Sequence, residues 1–94
     1  MIRNVVMVNM KDGYDGEWLA GLLVRFQTMN CPGTVAYTIG MDLGLREGGW
    51  TFAIVADFID EAAYRAYDAD ELHNSLRAEL APQVEQVARV QFQP

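Results

Sequence analysis

Two segments, Val5-Val6-Met7-Val8 and Phe52-Ala53-Ile54-Val55-Ala56, are apolar at every position. Side chains alternate between the two faces of a strand, so a strand that is apolar on both parities must be covered from both sides. In a chain of 94 residues, helices drawn from the remaining sequence can cover one face of a sheet and little is left for the other. The economical cover is a second copy of the chain, sheet against sheet, in an isologous homodimer that uses the helix-free face.

The remaining elements fall around those two strands in a simple order. Ile2 to Met10 reads as the first strand, and Lys11-Asp12-Gly13 turns out of it. Asp15 is placed to cap a helix reaching about Met29, with Glu17 in its first turn and Trp18, Leu19, Leu22, Leu23 and Phe26 at helical spacing on its buried face. Pro32 stops that helix, because it biases Cys31 to extended geometry. Thr34 to Leu43 and Trp50 to Phe58 form a hairpin around a Gly44–Gly49 turn. Asp60 caps a helix through Tyr64, and Val87 to Phe92 make the last strand. The order β-α-β-β-α-β predicts a ferredoxin-like α+β subunit, one domain over residues 1–94, with a four-stranded antiparallel sheet.

Composition removes several function classes. The net charge is −6, from 13 acidic and 7 basic residues, the wrong sign for gripping a phosphate backbone, so no nucleic-acid partner is expected. One cysteine, Cys31, allows no internal disulfide, and one histidine cannot complete a zinc site with it. No apolar run approaches the roughly 20 residues of a membrane span, and no signal peptide is visible, so a cytoplasmic protein without a membrane partner is expected.

The stretch Tyr64 to Val87 carries the chemistry. It holds the single histidine, His73, six residues after Tyr67, and Asp68-Ala69-Asp70 interrupts its helical pattern. Asp70 is a suitable N-cap for a second helical piece, with Leu72, Leu76 and Leu80 as its buried stripe and His73 at the edge of that stripe. The helix dipole disfavours a charged imidazole there, whereas Asp70 and Glu71 favour it, so the sequence leaves the protonation state open.

The opening M-I-R-N-V-V-M-V, the hairpin, and Y-x-x-Y-x-x-x-x-x-H before a Pro-terminated helix resemble the stress-responsive A/B barrel (Dabb) domain over essentially the whole chain. The resemblance implies a dimeric α+β barrel of ferredoxin-like subunits. Within that family, plant polyketide cyclases close linear polyketides by intramolecular aldol condensation without a cofactor. They use a His as base and a Tyr, six residues before it, that holds a substrate oxygen. The resemblance therefore implies His73 as base, Tyr67 as its catalytic partner, no cofactor, and a small apolar or polyketide-like ligand. Aldol closure needs such a base, a donor for the developing enolate and a dry pocket; Tyr64 is a second candidate donor. Trp18, Leu22, Phe26, Tyr37, Phe52 and Ile54 are candidate walls, and Asn4 can orient His73 or a carbonyl if it faces the helices. Asn4 stands where the family often has a His, and Phe52 where the cyclases have another pocket His. Each residue also has a plain structural explanation: a semi-buried histidine, a core-edge tyrosine, a helix-packing stripe, an edge asparagine. Two rival functions stand beside cyclisation, a non-catalytic stress-responsive binding protein with a filled pocket and, by resemblance to a related barrel group, a cofactor-independent monooxygenase on aromatic polyketides with Trp18 and Asn4 as candidate residues.

Overall fold

The computed structural model describes all residues 1–94. The elements run β1 (Ile2–Met10), α1 (Gly16–Gln27), β2 (Thr34–Met41), β3 (Phe52–Phe58), α2 (Glu61–Ala69), α3 (Glu71–Leu80), a 3-10 turn (Ala81–Gln83) and β4 (Val84–Phe92). The strands form one antiparallel sheet in the order β2-β3-β1-β4. This is the ferredoxin-like arrangement, and the two segments that are apolar on both parities are its central strands.

Aspartates set the helix starts. Asp15 accepts from the amides of Glu17 and Trp18, Asp60 from Ala63 and Asp70 from His73, filling donors that a helix leaves unpaired at its start. Gly33 sits between α1 and β2 with φ of 87°, and a Cβ there would lie 2.5 Å from the Ala63 Cβ on α2. Only glycine meets both the left-handed backbone and that close approach.

The register fixes what each face of the sheet carries. Asn4 lies opposite Ala56 and Gln91, Val6 opposite Ile54 and Arg89, and Val8 opposite Phe52 and Val87. These residues look toward the helices. Leu19, Leu22, Leu23 and Phe26 of α1 and Leu76 and Leu80 of α3 close the main core over Val8, Met10, Phe52 and Ile54, while Ala56, Phe58, Ala63 and Tyr67 form a smaller cluster. The opposite parity, Val5 and Met7 with Ala53, Val55, Ala88, Val90 and Phe92, faces away from every helix. It is mainly apolar, with a two-pronged ion pair between Arg3 and Asp57 at 2.8 and 2.9 Å and the polar residues Thr38, Asn9 and Gln86 toward its margins.

Three details depart from the sequence expectation. Leu72 is 51% exposed, and His73 replaces it in the inward stripe with Leu76 and Leu80. Strand β4 begins at Val84, three residues before the expected Val87, because the Pro82 turn delivers the chain straight onto β1. The hairpin strands end at Met41 and start at Phe52, so Leu43 and Trp50 belong to a longer connection, in which the backbone amide of Asp42 still bonds the Thr51 carbonyl at 2.9 Å. No helix is long and apolar enough to cross a membrane.

Candidate functional site

The break between α2 and α3 brings Tyr67 and His73 together. Asp70 has extended backbone dihedrals, ends α2 and caps α3, so the chain bends and lays the imidazole on the phenol ring. The ring centroids are 4.0 Å apart and the planes 29° off parallel. The edge of Phe26 closes the imidazole from α1, with centroids 6.1 Å apart. Both His73 and Tyr67 are buried, at 5% and 4% exposure.

This packing decides the protonation that the sequence left open. Burial lowers the His73 pKa from its ordinary value, and the nearby Arg77 charge lowers it further. The carbonyls of Tyr67 and Asp68 and the Asp68 carboxylate push the other way, more weakly. His73 is therefore neutral at pH 7. Its Nδ1 is closed off from solvent without a hydrogen-bond partner. Burial also pushes the Tyr67 phenol far above its ordinary pKa, so it keeps its proton throughout the physiological range. The Tyr67 hydroxyl lies 2.8 Å from the hydroxyl of Tyr37, reaching across from β2, and either can donate.

A cavity of about 330 Å³ opens beside the pair. Asn4, Phe26, Ile54, Tyr64, Tyr67 and His73, all singled out from sequence, lie on its wall. Asn4 faces the helices and is 4% exposed, and its Oδ1 accepts from Gln91 at 2.8 Å. Trp18, Leu22, Tyr37 and Phe52 do not line the cavity. Leu22 and Phe52 are core, Trp18 packs against that core, and Tyr37 holds the Tyr67 hydroxyl from behind. The walls missed from sequence are Val6 and Val8 of β1, Asp68 and Arg77 of the helices, Leu80 and Ala81, and Val84, Val87 and Arg89 of β4. Strand parity placed Val6 and Val8 with Asn4; the β4 residues needed the strand pairing. No three His, Cys, Asp or Glu side chains converge as a metal-binding group.

The family model of the Stress Responsive A/B Barrel Domain matches residues 2–94. The chain belongs to the Dabb family. No curated protein matches the sequence of this Dabb chain. A dimeric ferredoxin-like protein of unknown function from Thermobifida fusca is similar to it, at 28% identity over 99% of this chain and 90% of that one, with a TM-score of 0.89. The hydroxynitrile lyase of Passiflora edulis matches 97% of the Dabb chain with 90% of its own, at 18% identity and a TM-score of 0.84. A Deinococcus radiodurans protein, described as a candidate antibiotic biosynthesis monooxygenase, matches 100% with 92% of its own, at 16% identity and a TM-score of 0.83. At such identities the last two likenesses establish the shared fold.

Proposed function

We propose that this Dabb chain is a homodimeric, cofactor-free acid–base enzyme that binds a small apolar, polyketide-like substrate and acts on it as a cyclase. The observation that carries the reading is a neutral, buried imidazole stacked on a permanently protonated phenol, both on the wall of a mainly apolar cavity. A general base works best with a pKa near the working pH, where it is largely deprotonated and still basic. With Nδ1 walled off, Nε2 of His73 is the nitrogen that takes a proton from a carbon between two carbonyls. Tyr67 donates to the carbonyl oxygen on which the enolate charge collects. A bond from the Tyr37 hydroxyl to the Tyr67 oxygen leaves the Tyr67 proton free for that purpose. The Gln91 bond uses the carbonyl oxygen of Asn4, so the Asn4 amide nitrogen is available to a second substrate oxygen.

The cavity also counts against a non-catalytic protein whose pocket is filled by its own side chains. Of the two candidate residues for a monooxygenase, Trp18 lies away from the cavity and Asn4 lines it. That the same fold is found in a hydroxynitrile lyase is consistent with enzymatic chemistry on this scaffold.

The test is cyclisation of a poly-β-keto substrate by wild type, His73→Ala and Tyr67→Phe, with circular dichroism establishing that each is folded. Loss of the base should lower the rate by about 10²–10⁴-fold, and loss of the phenol by roughly 10²-fold. Equal rates in folded proteins end the catalytic reading.

A further inference from the structure

The polar groups at the rim of the cavity are not equivalent, and the difference points to the kind of molecule the cavity accepts. Seven basic residues are present in the chain. Arg3, Arg25, Arg65 and Arg77 each face a carboxylate, from Asp57, Glu79, Glu61 and Asp68 respectively. Lys11, Arg46 and Arg89 have no ion-pair partner, and of these Arg89 alone lines the cavity beside His73. Arg89 stands opposite Val6 on the helix-facing side of β4, so its side chain rises from the sheet edge at the cavity. Burial raises the Tyr64 pKa, and the Arg89 charge is near enough to offset part of that rise. Arg77 is on the same wall but is committed to Asp68 at 3.1 Å and Asn74 at 3.3 Å. The interior behind this rim is apolar, with Val6, Val8, Phe26 and Ile54, and His73 lies on its wall.

We infer that the cavity takes a monoanionic acid, an apolar body seated against β1 and β3 with its carboxylate on Arg89. A guanidinium matches a carboxylate with two parallel N–H donors. One free guanidinium on a wall that also carries the Asp68 carboxylate suits one negative charge and works against a dianion such as a phosphate monoester. The chain as a whole is acidic at −6, so its long-range field repels acids, and a preference for them must come from this local contact. The volume of about 330 Å³ is at the small end of the roughly 300–1,000 Å³ usual for ligand pockets, which limits the body to a short chain or a single ring. The inference rests on the cavity of the proposed function, narrowing its substrate to molecules that keep a free carboxylate away from the reacting carbon.

Calorimetric titration of octanoate, methyl octanoate and octyl phosphate into wild-type protein and into Arg89→Gln tests this. Octanoate should bind wild type about tenfold more tightly than the ester and more tightly than the phosphate, with the advantage over the ester shrinking in high salt. Arg89→Gln should lose that tenfold and bind the ester unchanged. Equal binding of acid and ester, a preference that survives in Arg89→Gln, tighter binding of the phosphate, or no binding of any of the three overturns the inference. Acid preference without cyclisation leaves the anion subsite standing and removes the cyclase; cyclisation without acid preference does the reverse.

Discussion

A single histidine makes the protein's acid response simple to read. His73 in the folded chain has a pKa below its ordinary 6.5, chiefly through burial. Between the two values the unfolded chain takes up a proton that the folded chain refuses, so stability is full above about pH 6.5 and falls as the pH drops below it. The slope is at most about 1.4 kcal/mol per pH unit. Asp57 and Glu79 are held low by Arg3 and Arg25, and they act in the same direction only below the ordinary carboxylate range, so the interval from pH 6.5 to 5 isolates the histidine. Urea unfolding at pH 7.5 and 5.0 should show wild type losing stability and His73→Asn losing distinctly less. An NMR titration of the one imidazole with a midpoint at or above 6.5 contradicts this account. The family resemblance pointed to Tyr67 and His73 as partners, and the capped break between them is what lays one ring on the other. The sequence could not show Tyr37 behind Tyr67, since that contact spans 30 residues and two elements. Nor could it settle the charge on His73, because local terms were in balance and burial, a property of the whole packing, decided it.

The element that matters most is the joint at Asp70. Helix starts were legible because each begins with an aspartate, and those three aspartates do cap. The inward face of α3 was only half legible. Each residue advances about 100° around a helix, so adding His73 to Leu76 and Leu80 shifts the centre of the buried arc and turns Leu72 out. Leucine spacing alone gave no reason to prefer a histidine inside, because the attraction is the Tyr67 ring on the preceding helix. Asp70 accepts from the His73 amide at 2.9 Å, so it caps α3 and holds the residue whose ring forms the site. Asp70→Ala should cost about 1 kcal/mol by denaturant unfolding, and Asp70→Asn far less, since asparagine caps nearly as well. Equal losses in the two variants would point to charge rather than capping. The β4 boundary was misplaced because Pro82 looks like a stop, whereas here it opens a one-turn link that joins helix to strand without a loop.

For the whole molecule, the helix-free face gives the clearest expectation. Val5, Met7, Val55, Val90 and Phe92 share it, and Met7, Val90 and Phe92 are at least two-fifths exposed in one chain. A continuous apolar sheet face of this kind marks an association surface, and the Thermobifida fusca relative, described as dimeric, makes a second copy the natural occupant. Light scattering should give twice the monomer mass for wild type, and Val55→Glu, at the middle of the face, should give the monomer. A monomeric wild type at micromolar concentration removes the dimer. The doubled apolar parity that led to this expectation was legible because it lies in consecutive residues. The cavity was not, since its walls come from β1, β3, β4 and all three helices.

Two phenols from distant parts of the chain share one short hydrogen bond, and only one of them can be giving. When Tyr37 gives, the inner ring turns its own hydrogen toward a guest; when Tyr37 receives, the guest meets only a lone pair. A strand at the rim of the sheet thereby chooses, by the orientation of one hydrogen atom, whether the chamber greets a visitor with a hand extended or a hand open.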